Sequence, residues 1–114
     1  MSIPKYAADS PKGEITAALE DCGCVVVTGL MDTGLRQSMT EELAPHMAAA
    51  RVIEDDDPEE FYPGQTRRVT ALVTRSASVT DHLIAHPMSR EVCERFLLPS
   101  GEFGYQLHVS AALE

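Results

Sequence analysis

The chain has 114 residues, of which 44% are apolar and 24% charged, and eighteen Asp and Glu residues against nine Lys and Arg give it a net charge of −9. This length suits one ordinary domain, and the composition is that of a globular protein. The acidic balance argues against two classes of partner that require a basic surface, nucleic acids and anionic membranes.

The cysteines indicate the redox compartment. There are three of them, Cys22, Cys24 and Cys93, an odd number in a chain whose first residues do not resemble a signal peptide. No apolar run is long enough to cross a bilayer. The Cys-Gly-Cys spacing is too tight for a zinc CxxC pair, and no second pair completes a tetrahedral site. We therefore expect free thiols and a cytoplasmic location.

The first predicted elements are a helix and a strand. Apolar spacing predicts a helix over residues 11–20, with Ser10 as its N-cap and Gly23 as its terminator. Three consecutive valines follow, and such a β-branched run favours a strand over residues 24–28 that is buried on both faces.

A second helix is predicted over residues 33–49, with Asp32 or Thr33 as its cap. Pro45 falls late in this segment and is expected to kink it or end it early. One apolar stripe recurs at four-residue spacing and consists of Leu35, Met39, Leu43 and Met47.

Residues 54–66 are predicted to form a loop, because they contain two prolines and a glycine and are strongly acidic. The carboxylates in this stretch are Glu54, Asp55, Asp56, Asp57, Glu59 and Glu60. Their spacing lacks the alternation and the central glycine of an EF-hand loop. A solvated loop is therefore favoured over a cation site.

The following segment alternates short elements with breaks. Residues 67–73 are predicted to form a strand or to begin a helix, and residues 76–78 a turn or cap. A short helix over residues 79–85 is stopped by Pro87, and another covers residues 88–98. The side chains expected to face inward from this last helix are Val92, Phe96 and Leu97.

The end of the chain has the alternation of a strand over residues 105–113. One face would carry Tyr105, Leu107, Val109, Ala111 and Leu113, and the other Gln106, His108, Ser110 and Ala112. The polar face is expected to meet solvent or a site. A chain that stops directly after a well-formed strand is expected to be a truncated domain.

Catalytic motifs are missing from the sequence. A non-haem iron oxygenase needs two histidines and a carboxylate, usually with an His-x-Asp or His-x-Glu pair. The four histidines, His46, His82, His86 and His108, are followed two positions later by Ala48, Ile84, Met88 and Ser110. His82 and His86 could share a helix face, but they have no third ligand. There is also no nucleophile elbow and no phosphate-binding glycine loop.

The order of four segments resembles the front part of phytanoyl-CoA dioxygenase family members. The segments are residues 19–30 (LEDCGCVVVTGL), 62–70 (YPGQTRRVT), 85–88 (AHPM) and 105–110 (YQLHVS). In that family, the first corresponds to a helix leading into a strand, the third to a helix-Pro-helix step, and the fourth to the strand before the metal-binding segment.

The resemblance implies an α+β fold in which N-terminal helices precede the first strands of a double-stranded β-helix, or jelly roll, here incomplete. It also implies Fe(II) and 2-oxoglutarate as cofactors of the full-length protein, and a small organic substrate that is hydroxylated. The family's iron ligands lie beyond residue 110, so none can be assigned in this chain. We expect neither cofactor to bind the chain tightly.

Four residues are candidates for the 2-oxoglutarate side of such a site: Gln106, His108, Ser110 and Arg68. The first three share the polar face of the last predicted strand, and a guanidinium suits a carboxylate. The alternatives are a water-facing edge strand and pairing of Arg68 with the acidic loop.

Two functions follow from the sequence. One is an oxygenase fragment of residues 1–114 that is inactive by itself and belongs to a protein with a small-molecule substrate. The other is a non-enzymatic acidic module that associates through an exposed strand edge, with a partner or with itself. An unfinished barrel is also expected to be marginally stable or to oligomerise.

Overall fold

The computed structural model describes residues 2–53, 64–98 and 104–114, which form an α+β arrangement of helices and two small sheets. In chain order the elements are β1 (Lys5–Ala7), α1 (Lys12–Cys22), β2 (Val26–Thr28), α2 (Thr33–Ala49), β3 (Arg68–Thr70), a 3-10 turn (Leu72–Thr74), a π-helical segment (Val79–Ile84), α3 (Pro87–Phe96) and β4 (Ala111–Leu113). The acidic residues 54–60 lie outside the described part of the chain, so the loop prediction remains a prediction.

Helix α1 begins differently from the prediction and ends as expected. The residue that precedes its first turn is Pro11, which makes no side-chain capping bond, whereas the backbone N–H of Ser10 donates to the carbonyl of Ala7. The N-cap prediction for Ser10 was therefore wrong, because this residue belongs to the turn after β1. Gly23 ends the helix in the left-handed conformation, with φ of 75°.

The strand predicted to be buried on both faces is short and largely open. Strand β2 pairs in parallel with β1 alone, in a two-stranded sheet. Val27 is half-buried, while Val26 and Thr28 are exposed. The prediction of two-sided burial was wrong because, among the described residues, no third strand or helical layer is shown to enclose this sheet.

Helix α2 matches its predicted bounds, and the Asp32 carboxylate caps it by accepting a hydrogen bond of 2.7 Å from the backbone N–H of Leu35. Pro45 lies inside the helix and does not end it. Three of the four residues of the apolar stripe, Met39, Leu43 and Met47, pack on the main core. The buried members of this core are Val69, Leu72 and Val79.

Strand β3 pairs antiparallel with β4, with Val69 opposite Ala112. The strand alternative for residues 67–73 is therefore confirmed for Arg68–Thr70, while Leu72–Thr74 forms the 3-10 turn. The ladder covers only residues 111–113 of the longer strand predicted at the chain end. Within β4, Ala112 packs on the core and Leu113 is exposed. Before it, Leu107 and Val109 are exposed, and so are Gln106 and His108. The apolar face of residues 105–113 is therefore uncovered in the described structure.

Helix α3 starts at Pro87, the first-turn position that proline favours. Nδ1 of His86 caps it by accepting a 3.0 Å hydrogen bond from the backbone N–H of Met88. Helix α3 packs against α1 and the π-helical segment. Leu97, predicted to face inward, follows the end of the helix and is exposed.

Candidate functional site

Two of the four candidate residues lie together in one groove. Gln106 and His108 line a cavity of about 450 Å³ between the segment of residues 105–109 and the face of α3. The groove is also lined by Ile84, Ala85, Ser89, Arg90, Cys93 and Leu97. Its walls are mainly apolar, with the Arg90 guanidinium, the His108 imidazole and the Gln106 amide as polar groups. Such a surface suits an apolar group with a polar end.

Ser110 has a structural role. Its hydroxyl accepts a 2.9 Å hydrogen bond from the backbone N–H of Leu72, and its side chain is half-buried. The contact gives the backbone N–H of Leu72, at the start of the 3-10 turn, a hydrogen-bond acceptor. A buried backbone N–H without an acceptor would cost free energy. The bond also fixes which face of the chain end turns inward, because Ser110 and Ala112 are both on that face.

Arg68 lines a different cavity, of about 220 Å³, between β3 and the C-terminal end of α2. His46 and Arg75 also line it, and the Arg75 guanidinium donates a 3.0 Å hydrogen bond to Nδ1 of His46. Basic groups near a helix C-terminus are favoured by the helix dipole. The four candidates thus lie in three settings: the groove, the contact with Leu72, and the basic cavity.

The most tightly connected polar cluster was not among the predicted site residues. The Glu42 carboxylate accepts hydrogen bonds from the Ser76 hydroxyl, from the Ser78 hydroxyl at 2.9 Å and from the Ser78 backbone N–H at 3.1 Å. The Ser76 hydroxyl in turn accepts a bond from the backbone N–H of Val79. The cluster ties α2 to the beginning of the following helical segment.

These bonds determine the charge state of the cluster. Hydrogen bonds from the Ser76 hydroxyl, then from the hydroxyl and backbone N–H of Ser78, hold the pKa of Glu42 below its ordinary value, and His82 adds a smaller effect in the same direction. The turn-or-cap prediction for residues 76–78 was the available signal, since a Ser-x-Ser start of a helix offers free N–H donors. No motif indicated that Glu42 would accept hydrogen bonds from them.

No group of three or more His, Cys, Asp or Glu side chains in the described ranges is placed to hold a metal ion. His86 uses its Nδ1 to cap α3, and His82 is an exposed side chain of the π-helical segment. The described residues therefore do not fit an iron site built from two histidines and a carboxylate. All three cysteines are free thiols.

The helices of the described part of the chain include none with the length and apolar character needed to cross a membrane.

No family model matches the chain. It is 25% identical over 113 residues to the multifunctional dioxygenase ausE of Emericella nidulans, which covers 98% of this chain and 37% of that protein. The multifunctional dioxygenase ausE of Aspergillus calidoustus is 24% identical with the same coverage. Dioxygenase aneA of Aspergillus aculeatus is 26% identical over 95 residues, 81% of this chain and 32% of that protein. The chain spans about a third of the length of these curated relatives, and the similarity relates it distantly to fungal dioxygenases.

Proposed function

We propose that this chain is part of an Fe(II)- and 2-oxoglutarate-dependent oxygenase of the phytanoyl-CoA dioxygenase kind, which hydroxylates a small organic substrate. One observation carries the proposal: similarity to a protein named as a dioxygenase extends over 98% of the chain. The order of helix, strand, helix and Pro-started helix supports it, because the same order underlies the resemblance in the sequence. In the proposed complete protein these elements flank a jelly roll.

The chain by itself is proposed to be inactive. It spans about a third of its relatives, and its described residues do not fit the iron site. Bound iron would supply the chemistry of dioxygen activation, and the described residues would not support the reaction without a site for it. A small-molecule substrate, a cytoplasmic location and no nucleic-acid or membrane partner are parts of the same proposal.

Gln106, His108, Ser110 and Arg68 are proposed as residues on the co-substrate side of the complete protein. Arg68 is the candidate whose guanidinium can bind a carboxylate through two parallel hydrogen bonds. The basic cavity that it lines with His46 and Arg75 supports this role. Gln106 supplies an amide and His108 an imidazole from one groove. Ser110 would contribute by holding the same segment in place.

The proposal is tested by comparing this chain with a longer chain from the same gene. Succinate release from 2-oxoglutarate is measured with Fe(II) and ascorbate. We expect none from residues 1–114 and turnover from the longer chain. The control is the longer chain with the histidine of its His-x-Asp pair replaced by alanine. A gene that encodes no His-x-Asp or His-x-Glu pair and no distant histidine after Glu114 would rule out the oxygenase proposal, and turnover by residues 1–114 would rule out the claim of inactivity.

A further inference from the structure

The chain end presents an apolar face that the described structure leaves uncovered. Tyr105, Leu107, Val109 and Leu113 alternate in the sequence and are 41%, 52%, 55% and 54% exposed. Leu113 lies in β4, whereas residues 104–110 pair with no strand of the described structure and leave their backbone open to pairing. Strand β4 pairs with β3 in a sheet of two strands, so no strand of the described structure occupies its other edge. An open edge beside an apolar face is the usual starting point for pairing with another chain.

The charge distribution favours a second copy of the same chain at this edge. The chain carries a net charge of −9, yet residues 104–113 contain no Asp, Glu, Lys or Arg. Two identical acidic chains repel each other over most approaches, and an uncharged stretch reduces that repulsion where they meet. The charged side chains and prolines that natural proteins use to block exposed edges are also missing from these ten residues.

We propose that two copies of this chain pair in antiparallel fashion along residues 105–113. In a two-fold arrangement about Leu107, Tyr105 of one copy lies opposite Val109 of the other, so the apolar residues of both copies fall on one face. If the two-fold axis instead lies beside Val109, Leu107 is opposite Ala111, and the apolar residues of both copies again share one face. The proposal does not rest on the oxygenase function, because its test measures association alone.

The test is sedimentation velocity over a range of concentrations, with two lysine variants that add the same charge. Leu107→Lys places that charge in the proposed interface. Val73→Lys places it on the 3-10 turn, where the side chain is 40% exposed. We expect the wild-type chain and Val73→Lys to dimerise as concentration rises. Leu107→Lys is expected to weaken the dimer on the order of tenfold or more, because each copy then brings a charged side chain into the apolar interface.

Three results would overturn the proposal: a wild-type chain that stays monomeric, a Leu107→Lys variant that still dimerises fully, or equal weakening by both variants. Circular dichroism checks that each variant keeps its helices. If Leu107→Lys fails to fold, Val109→Lys replaces it in the same comparison, since Val109 is 55% exposed and on the same face.

Discussion

Glu42 shows how a residue with no visible motif can organise a junction. Its carboxylate lies at the free N–H groups where the segment after Ser76 begins, and both serine hydroxyls donate to it. A carboxylate at a helix start satisfies donors and interacts favourably with the helix dipole. The lowered pKa of Glu42 follows from these bonds, because a hydroxyl or N–H donor binds the ionised carboxylate more strongly than the neutral acid.

We predict that Glu42→Gln lowers the stability of the chain at neutral pH. The variant should also lose less stability than the wild-type chain when the pH is lowered. Because the folded-state pKa of Glu42 is below the unfolded value, the unfolded state binds more protons between the two values. The stabilisation is therefore fully present above the ordinary glutamate pKa and is lost as the pH falls through the lower folded-state pKa.

Urea unfolding at neutral and acidic pH measures the effect of Glu42→Gln. Glu41→Gln is the control, since Glu41 is exposed and its carboxylate accepts a bond from Gln37 on the same helix. Equal pH dependence of the Glu42→Gln variant and the wild-type chain would contradict the role of the cluster.

At the scale of elements, the end of α1 depends on one glycine. Gly23 has φ of 75°, and a Cβ added there would meet nothing within 4 Å. Gly13, in the first turn of the same helix, is also free of neighbours within 4 Å, and its φ is not in the left-handed region. Comparing alanine substitutions at the two glycines therefore separates the effect of the left-handed backbone conformation from any effect of packing.

We predict that Gly23→Ala destabilises the chain by about 1–2 kcal/mol, the cost of a left-handed conformation for a residue with a Cβ. Gly13→Ala should be neutral or stabilising by up to about 1 kcal/mol, because alanine reduces the entropy of the unfolded chain. Thermal or urea unfolding of both variants measures the difference. Equal effects would show that the left-handed conformation of residue 23 carries no cost.

The sequence was informative where local chemistry decides the structure. Asp32 and Gly23 act as predicted, because a cap and a left-handed terminator depend on neighbouring backbone alone. Residues 105–113 were predicted as one strand, but only Ala111–Leu113 is paired, because alternation does not tell how far a strand is paired or which face is covered. That choice depends on Leu72, 38 positions away from Ser110, whose N–H binds the Ser110 hydroxyl. The arrangement of the candidate site residues likewise depends on contacts between residues far apart in the sequence.

At the scale of the whole molecule, apolar burial is limited. The buried hydrophobic residues among those described are Ile15, Ile53, Val69, Leu72, Val79 and Met88. Several large apolar side chains remain more than half exposed, including Ile3, Leu107 and Val109. A chain that leaves so much apolar surface in water gains less from folding than a domain of this length usually does. Its stability should therefore depend strongly on a few core contacts and on whatever covers the exposed face.

This dependence predicts a large effect of a small change in the core. Val79 is 2% exposed and packs with Val69 and Leu72. Val79→Ala should reduce the free energy of unfolding by about 2 kcal/mol, because two buried methyl groups are lost and a cavity remains. Val73→Ala, on the neighbouring 3-10 turn and 40% exposed, should have an effect within about 0.5 kcal/mol.

Urea unfolding of both valine variants at one fixed chain concentration makes the comparison, since a dimer gains stability with concentration. If the exposed face is covered by a second copy, raising the concentration should raise the stability of the wild-type chain and of both variants together, because position 79 lies outside the interface. A Val79→Ala variant as stable as the wild-type chain would mean that Val69, Leu72 and Val79 do not form the main core.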